Sequence, residues 1–457
     1  MLVTRRQILA GAAALAKREK KGQQERPPSI LLILADDLAA WMIGIYGNKE
    51  IQTPGIDLLA RQGTRFSNHL VSTPADSPSR ATLFTGRTAM QHGIQDFLTP
   101  HPVATPPQGQ LAPPASFAHE IMLSDLLAAH GYQCGYAGKW HMGADEQPQH
   151  AFKYWYTMLA NDGGYQDPAM SWNGQTVQEK GYLTELITQK ALQFLDAQKA
   201  GQPYFLVASY PNPRAPYEGH PQKYYDLYAK TGFETLDWQP AASNALGGNQ
   251  YLRDIVPNIR KCAAAVSAVD SQIPPLLHKL NQKGLRDETL VIFTSASGFL
   301  LGRHGLWSDG HASYPPNMFE EVLQTPMIWC WLGKIPAEIS RPDILSSYDL
   351  MPTICELTGI EPPNRNLCGR SYLPFVLNHP FPKKQPWRNV VFGQLRDTGM
   401  CHDSRFKVVV RADGVNEFYD VQNDGREKTN QYANPQFLGP RDALSREFSA
   451  WRAQYSS

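Results

Sequence analysis

The sequence predicts an α/β fold: a mostly parallel central sheet flanked by helices, then a small antiparallel-sheet subdomain near the C-terminus. Three observations predict it. First, Ile30-Leu31-Leu32-Ile33-Leu34 is an unbroken apolar run that ends in Ala35-Asp36-Asp37. A short run of this kind reads as a strand buried on both faces, and acids at its end place chemistry at the C-terminal edge of a parallel sheet. Second, such segments alternate with helical ones along most of the chain. Third, from about Pro386 the pattern changes to short strands close together.

The elements follow in order. Residues 1–28 read as an export signal and linker, ending at Pro27-Pro28. Residues 29–385 read as the large α/β domain and 386–457 as the subdomain. After the first strand, Thr53 to Gly63 is a helix closed by glycine, and Thr64 to Val71 a strand. Ser79 to Phe84 begins a helix; Ser124 to His130 is helical and Gly131 to Ala137 extended. Tyr182 to Ala197 is a helix, Pro203 to Tyr210 a strand, and Asn258 to Leu280 one long helix. Thr289 to Thr294 and Thr325 to Trp331 are strands, and Leu350 to Leu357 is a helix. Asn389 to Gln394, Phe406 to Arg411 and Glu417 to Tyr419 form the small sheet, closed by a helix over Pro440 to Tyr455.

Composition narrows the function classes. Hydrophobic residues make up 42% of the 457 residues and charged residues 19%, enough for a large core. Lys plus Arg (43) nearly balances Asp plus Glu (42), which argues against nucleic-acid binding through a general basic field. The six cysteines are scattered without a CxxC pair, so neither a zinc site nor a dense disulfide scaffold is expected. If the chain is exported, Cys355 and Cys368 are close enough in sequence to pair. No apolar stretch reaches the ~18 residues that span a bilayer. Thr4-Arg5-Arg6-Gln7-Ile8-Leu9 before the small apolar run Ala10 to Ala16 is similar to a twin-arginine signal, with Ala14-Leu15-Ala16 as a cleavage site. This predicts a periplasmic or extracellular protein; without export it is cytoplasmic.

The most specific pattern is Ser77-Pro78-Ser79-Arg80-Ala81-Thr82-Leu83-Phe84-Thr85-Gly86-Arg87. It resembles the sulfatase signature, Cys-x-Pro-Ser-Arg-x-x-Leu-x-Thr-Gly-Arg. Ile33 to Asp37 resembles the family's first metal-binding strand end, and Thr53-Pro54-Gly55-Ile56-Asp57 the turn that follows it. Gly138-Lys139-Trp140-His141-Met142-Gly143, Asp349-Leu350-Met351-Pro352-Thr353 and Phe418 to Asn430 resemble three later motifs. The resemblance implies an alkaline-phosphatase-like fold. It also implies a formylglycine nucleophile, a Ca²⁺ on carboxylates and an amide, and Lys, His and Arg groups that handle charge and protons.

The site positions depart from that pattern. Asp76 heads the signature where the family has the cysteine that becomes formylglycine, a conversion open to no carboxylate. Thr294-Ser295-Ala296-Ser297-Gly298 stands for a segment that should carry an aspartate and an amide or imidazole; Ala296 has no ligand atom and Ser297 is a weak substitute. Arg214 takes the place of a histidine and Asp309 that of a lysine. Asp36, Asp37, Arg80, Lys139 and His141 keep the family's residue types. Asp36 and Asp37 read as site carboxylates, because adjacent buried acids repel unless a cation lies between them. Arg80 reads either as a site cation or as an ion-pair partner of Asp76. His220, His304 and His311 read as surface or loop residues and Asp270 as structural, while Trp307 and Tyr217 should line the pocket mouth.

Two functions compete. One is a sulfatase-fold protein that has lost the reaction, with Ca²⁺ weak or absent. The other is a hydrolase remodelled around a metal held by Asp36, Asp37, Asp76 and Asp309, acting on a sulfate or phosphate ester. The ligand in either case is a small molecule or carbohydrate ester.

Overall fold

The order of the parallel strands decides where the functional residues lie. A computed structural model describes residues 27–99, 109–159 and 164–456. The twin-arginine segment and its cleavage site lie outside the described residues. The large sheet has ten strands in the order β10-β2-β9-β8-β1-β7-β3-β4-β5-β6. They are β1 (Ser29–Asp36), β2 (Thr64–Leu70), β3 (Gln133–Gly138), β4 (Tyr154–Met158), β5 (Ala169–Trp172), β6 (Gln175–Gln178), β7 (Tyr204–Pro213), β8 (Thr289–Ser295), β9 (Met327–Cys330) and β10 (Ile339–Ser346). The core strands β8, β1, β7, β3 and β4 are parallel, so their C-terminal ends share one edge.

Strand β1 shows why the sheet is covered on both sides. Leu31, Ile33 and Ala35 pack into one apolar cluster, with the helices Leu183–Ala197, Ile255–Asp270 and Ile273–Gln282. Ile30, Leu32 and Leu34 pack into the opposite cluster, with Asp76–Thr85, Leu123–Ala129 and Leu350–Thr358. Each of these six β1 side chains is 0% exposed. Burying a Leu or Ile contributes about 1.5–3 kcal/mol, so this one strand anchors both layers.

Several elements differ from the sequence expectation. The long helix is two, broken at Ser271 and Gln272, because Pro274 and Pro275 cannot continue the hydrogen-bond ladder. Asp270 ends the first piece and accepts backbone N–H bonds from Gly55 (3.0 Å) and Ile56 (2.7 Å), the structural role expected for it. Strand β9 runs antiparallel to both neighbours, since no long crossover helix lies between it and β8. Strands β4, β5 and β6 extend one side of the sheet and β10 the other. The six cysteines are free: Cys355 packs in the helix core, and Cys368 Sγ accepts from Trp451 Nε1 at 3.0 Å. No helix of the described residues is long and apolar enough to cross a membrane.

The second sheet is a four-stranded antiparallel meander: β11 (Val390–Leu395), β12 (Thr398–Asp403), β13 (Phe406–Arg411) and β14 (Glu417–Asp420). Strand β12 of this sheet, like β4, β5, β6 and β10 of the large one, is not among the strands expected from the sequence. Leu444, Phe448 and Trp451 of the last helix, Leu438–Tyr455, cover one face. Val391, Leu395, Met400 and Val409 press the other against the large domain. Lys407 of β13 is fully buried there, donating to Met318 O (2.7 Å) and pairing with Glu320 (3.0 Å) and Glu427 (2.5 Å).

Gly138 ends β3 at the edge where the functional residues gather. Its φ is +119°, and a Cβ there would lie 1.8 Å from Ser209 O. Gly138→Ala should cost about 2–4 kcal/mol in urea denaturation. Gly439→Ala, in a helix with open space around it, should be neutral to mildly stabilising.

Candidate active site

Four strand ends and one helix start supply the site. Strand β1 delivers Asp36 and Asp37, β3 leads into Lys139 and His141, β7 into Arg214, and β8 into Ala296 and Ser297. Asp76 opens the helix Asp76–Thr85, with Arg80 one turn on. That helix starts earlier than the sequence suggests and all ten of its residues are buried.

Lys139 lies at the centre. Its Nζ is 2.5 Å from Asp36 Oδ2 and 2.7 Å from Asp76 Oδ2, and the Lys139 side chain is 0% exposed. Asp76 Oδ2 also meets His141 Nδ1 at 2.8 Å and pairs with Arg214 Nη1. Arg80 does not pair with Asp76. Its Nη2 reaches Asp36 Oδ1 at 3.1 Å, while Nη1 donates to Lys139 O (2.8 Å) and Ser209 Oγ (2.9 Å). Burial would raise the Asp36 carboxyl, but Lys139 and Arg80 hold it below its ordinary value. Burial works the same way on Asp76, and His141, Lys139 and Arg214 hold that carboxyl well below the usual range.

Asp37 is treated differently. It sits at φ 56°, in the left-handed region that Asp tolerates better than most residues. Its Oδ1 accepts from Ser297 Oγ at 2.7 Å, and Ser297 Oγ accepts from Asp37 N at 3.2 Å. Burial and the negative charge of Asp36 push the Asp37 carboxyl up to about 7. Ala296 continues β8, its N–H bonded to Ala35 O at 3.0 Å, and brings no donor atom.

Asp309 faces the same cavity, of about 440 Å³, as Asp37, Asp76, Arg214, Tyr217 and Trp307. Tyr217 and Trp307, expected at the pocket mouth, line the cavity and are both buried. Sequence reading missed the chain of charges behind Asp309. His311 is buried, not on the surface: Nδ1 is 3.3 Å from Asp309 Oδ1 and Nε2 is 2.6 Å from Asp96 Oδ1. Arg396, from the β11–β12 turn, pairs with Asp96 at 2.5 Å. The Asp309-Gly310-His311 spacing carries a local signal, since Asp309 Oδ1 accepts the His311 N–H at 2.9 Å. Nothing in the sequence ties Asp96 or Arg396 to it. His220 is also buried, its Nδ1 2.7 Å from Tyr182 OH, and half-buried His304 stacks on Phe319.

The donor set does not fit a calcium ion. Ca²⁺ takes six to eight oxygens. Both Asp36 oxygens and Asp76 Oδ2 are engaged by cationic side chains, Asp37 Oδ1 accepts a hydroxyl, and Ala296 contributes nothing. Among the described residues no group of three or more His, Cys, Asp or Glu could hold a metal ion.

Residues 28–360 match the Sulfatase family profile, and residues 315–454 match that of N-sulphoglucosamine sulphohydrolase, C-terminal. The chain belongs to the sulfatase family. It is 24% identical to an N-acetylglucosamine-6-O-sulfatase of Bacteroides thetaiotaomicron, over 93% of this chain and 86% of that one. It is 29% identical to human N-acetylgalactosamine-6-sulfatase over 76% of this chain, spanning 65% of the human protein. The fold matches a structure solved with its substrate D-glucosamine-2-N,6-O-disulfate, at TM-score 0.79 and 23% identity, covering 94% of this chain and 98% of that one. It also matches the phosphonate monoester hydrolase of Agrobacterium radiobacter at TM-score 0.71 and 21% identity, covering 94% and 96%. The sulfatase fold here is therefore the expected mostly parallel sheet with a separate antiparallel one.

His311 carries a pH test. Burial alone would lower its imidazole, but Asp309 and Asp96 push it up to about 9, against roughly 6.5 when unfolded. The folded value is raised, so the stabilisation is complete below about pH 6.5 and lost as pH rises through 9. Urea denaturation at pH 6, 7.5 and 9 should show about 1–3 kcal/mol of decline that His311→Asn flattens.

Proposed function

We propose that this sulfatase-family chain has lost the sulfatase reaction and retains a binding pocket. The observation that carries the proposal is Asp76. At the nucleophile position stands a buried carboxylate whose Oδ2 is shared by Lys139, His141 and Arg214. A carboxylate cannot become formylglycine, and one held well below its ordinary pKa by three neighbours is a poor nucleophile. Asp309 puts negative charge where the family resemblance implies a cationic lysine. Arg214, at the histidine position, is tied to Asp76 and stays protonated, so it cannot serve as a general acid.

Relatives and fold neighbours are named for sulfated sugars and phosphonate esters. A carbohydrate or other small-molecule ester is the ancestral substrate class consistent with those names. Export to the periplasm or beyond is proposed on Thr4 to Leu9 alone.

Turnover of 4-nitrophenyl sulfate with Ca²⁺ or Mg²⁺ should not exceed that of an Asp36→Ala/Asp37→Ala control. Loss of one transition-state charge stabiliser typically costs ~10²–10³-fold, and groups that act together fail together. Activity well above the control would favour the remodelled metal hydrolase. A gain on installing Asp76→Cys, Arg214→His, Ala296→Asp, Ser297→Asn and Asp309→Lys, co-expressed with a formylglycine-generating enzyme, would show that these positions carry the loss.

Calorimetry should find no tight stoichiometric Ca²⁺ site, and chelation should leave the melting temperature unchanged. A melting point that falls with chelator would restore the family's metal to the site.

A further inference from the structure

The pocket's aromatic wall and Asp37, a carboxylate with no cation in contact among the described residues, point to a ligand of the opposite charge from a sulfate ester. Asp37 is 3% exposed and lines the cavity of about 440 Å³. Among the described residues, its Oδ1 is bonded to Ser297, its Oδ2 accepts no hydrogen bond, and no Lys, Arg or His nitrogen pairs with it. The cations that pair with Asp36 and Asp76 make no contact with it, and Arg214 lowers its carboxyl only through space. The charges nearest to it are Asp36 and Asp309 on the negative side and Arg214, bound to Asp76, on the positive. A carboxylate taken out of water in this way is stabilised by an ammonium brought to its open side.

The same cavity is walled by three rings. Tyr251 and Trp307 stack with centroids 5.2 Å apart at 26°, and Tyr217 meets them edge-on at 5.3 and 5.8 Å. Trp307 Nε1 donates to Tyr217 OH at 3.0 Å, which locks the wall in place. Aromatic rings beside a carboxylate attract an organic cation through the ring quadrupole, and they repel an anion on the same face.

We propose that the pocket binds a small organic ammonium, primary or quaternary, with its charge at Asp37 and its carbon framework against Tyr217, Tyr251 and Trp307. This rests on the loss of sulfate-ester chemistry proposed above and adds the ligand class. Asp309 lines the same cavity, its charge offset by His311.

The test compares benzyl compounds whose head groups differ in charge. Benzyltrimethylammonium and benzylamine, benzyl alcohol, and benzylsulfonate are titrated into the full chain, followed by calorimetry and by tryptophan fluorescence. The ammonium probes should bind at least about tenfold tighter than the alcohol, and the sulfonate weakest of all. Asp37→Asn should remove most of that preference. Tyr251→Ala, at a half-buried ring on the wall, should weaken the ammonium several-fold while leaving the fold intact. Equal binding of sulfonate and ammonium, or an ammonium affinity unchanged in both Asp37→Asn and Tyr251→Ala, would overturn the proposal. So would tight Ca²⁺ binding that displaces the ammonium. The sulfatase assay uses none of these probes: turnover there would refute the loss of reaction, whereas failed ammonium binding without turnover would refute only the ligand class.

Discussion

Two carboxylates from different parts of the chain, Asp36 at a strand end and Asp76 at a helix start, share one buried ammonium, that of Lys139. Lys139 is the cation common to both, with Arg80 as a further partner of Asp36 and His141 and Arg214 as further partners of Asp76. Removing the partner from a buried ion pair typically costs 3–5 kcal/mol, because the charge left behind is uncompensated. Arg80 and Arg214 extend the arrangement around Asp36 and Asp76, His311 pairs with Asp309, and among the described residues Asp37 has no cation in contact. The sheet order makes this possible: β1 lies between β7 and β8, with β3 next to β7, and their ends meet at one edge.

The difference between Asp36 and Asp37 shows how one residue step separates two roles. Asp36 ends the strand and points into the cations. Asp37 turns into a left-handed conformation, is held by a serine hydroxyl, and opens to the cavity. Ser297, read from the sequence as a poor metal ligand, here acts as a hydrogen-bond donor that fixes Asp37.

Much of this was legible in the residues. The apolar run ahead of Asp36 and Asp37 announces a doubly buried strand, and the ordered motifs bring Asp76, Arg80, Lys139 and His141 to one place. The choice of partners was not legible. Arg80 pairs with Asp36 and not with Asp76, which is nearer in sequence, because its side chain runs toward the β1 end, which only the packing of helix on sheet decides. His311 reads as a loop residue because Asp309 alone is local and its second partner is remote: Asp96 is 215 positions away. The break at Ser271 could have been read from Pro274 and Pro275, whereas the direction of β9 depends on a connection with no strong local signal.

The chain Asp309–His311–Asp96–Arg396 ties the pocket wall to the turn between the first two strands of the small sheet. The pocket therefore does not belong to the α/β domain alone. A segment cut at residue 360, where the Sulfatase profile ends, would contain Asp36, Asp76, Lys139, Asp309 and His311 and still lack Arg396, the partner of Asp96. A truncation or domain exchange that took the small sheet from this chain would leave the Asp96 carboxylate with His311 alone, and the wall of the pocket would answer for it.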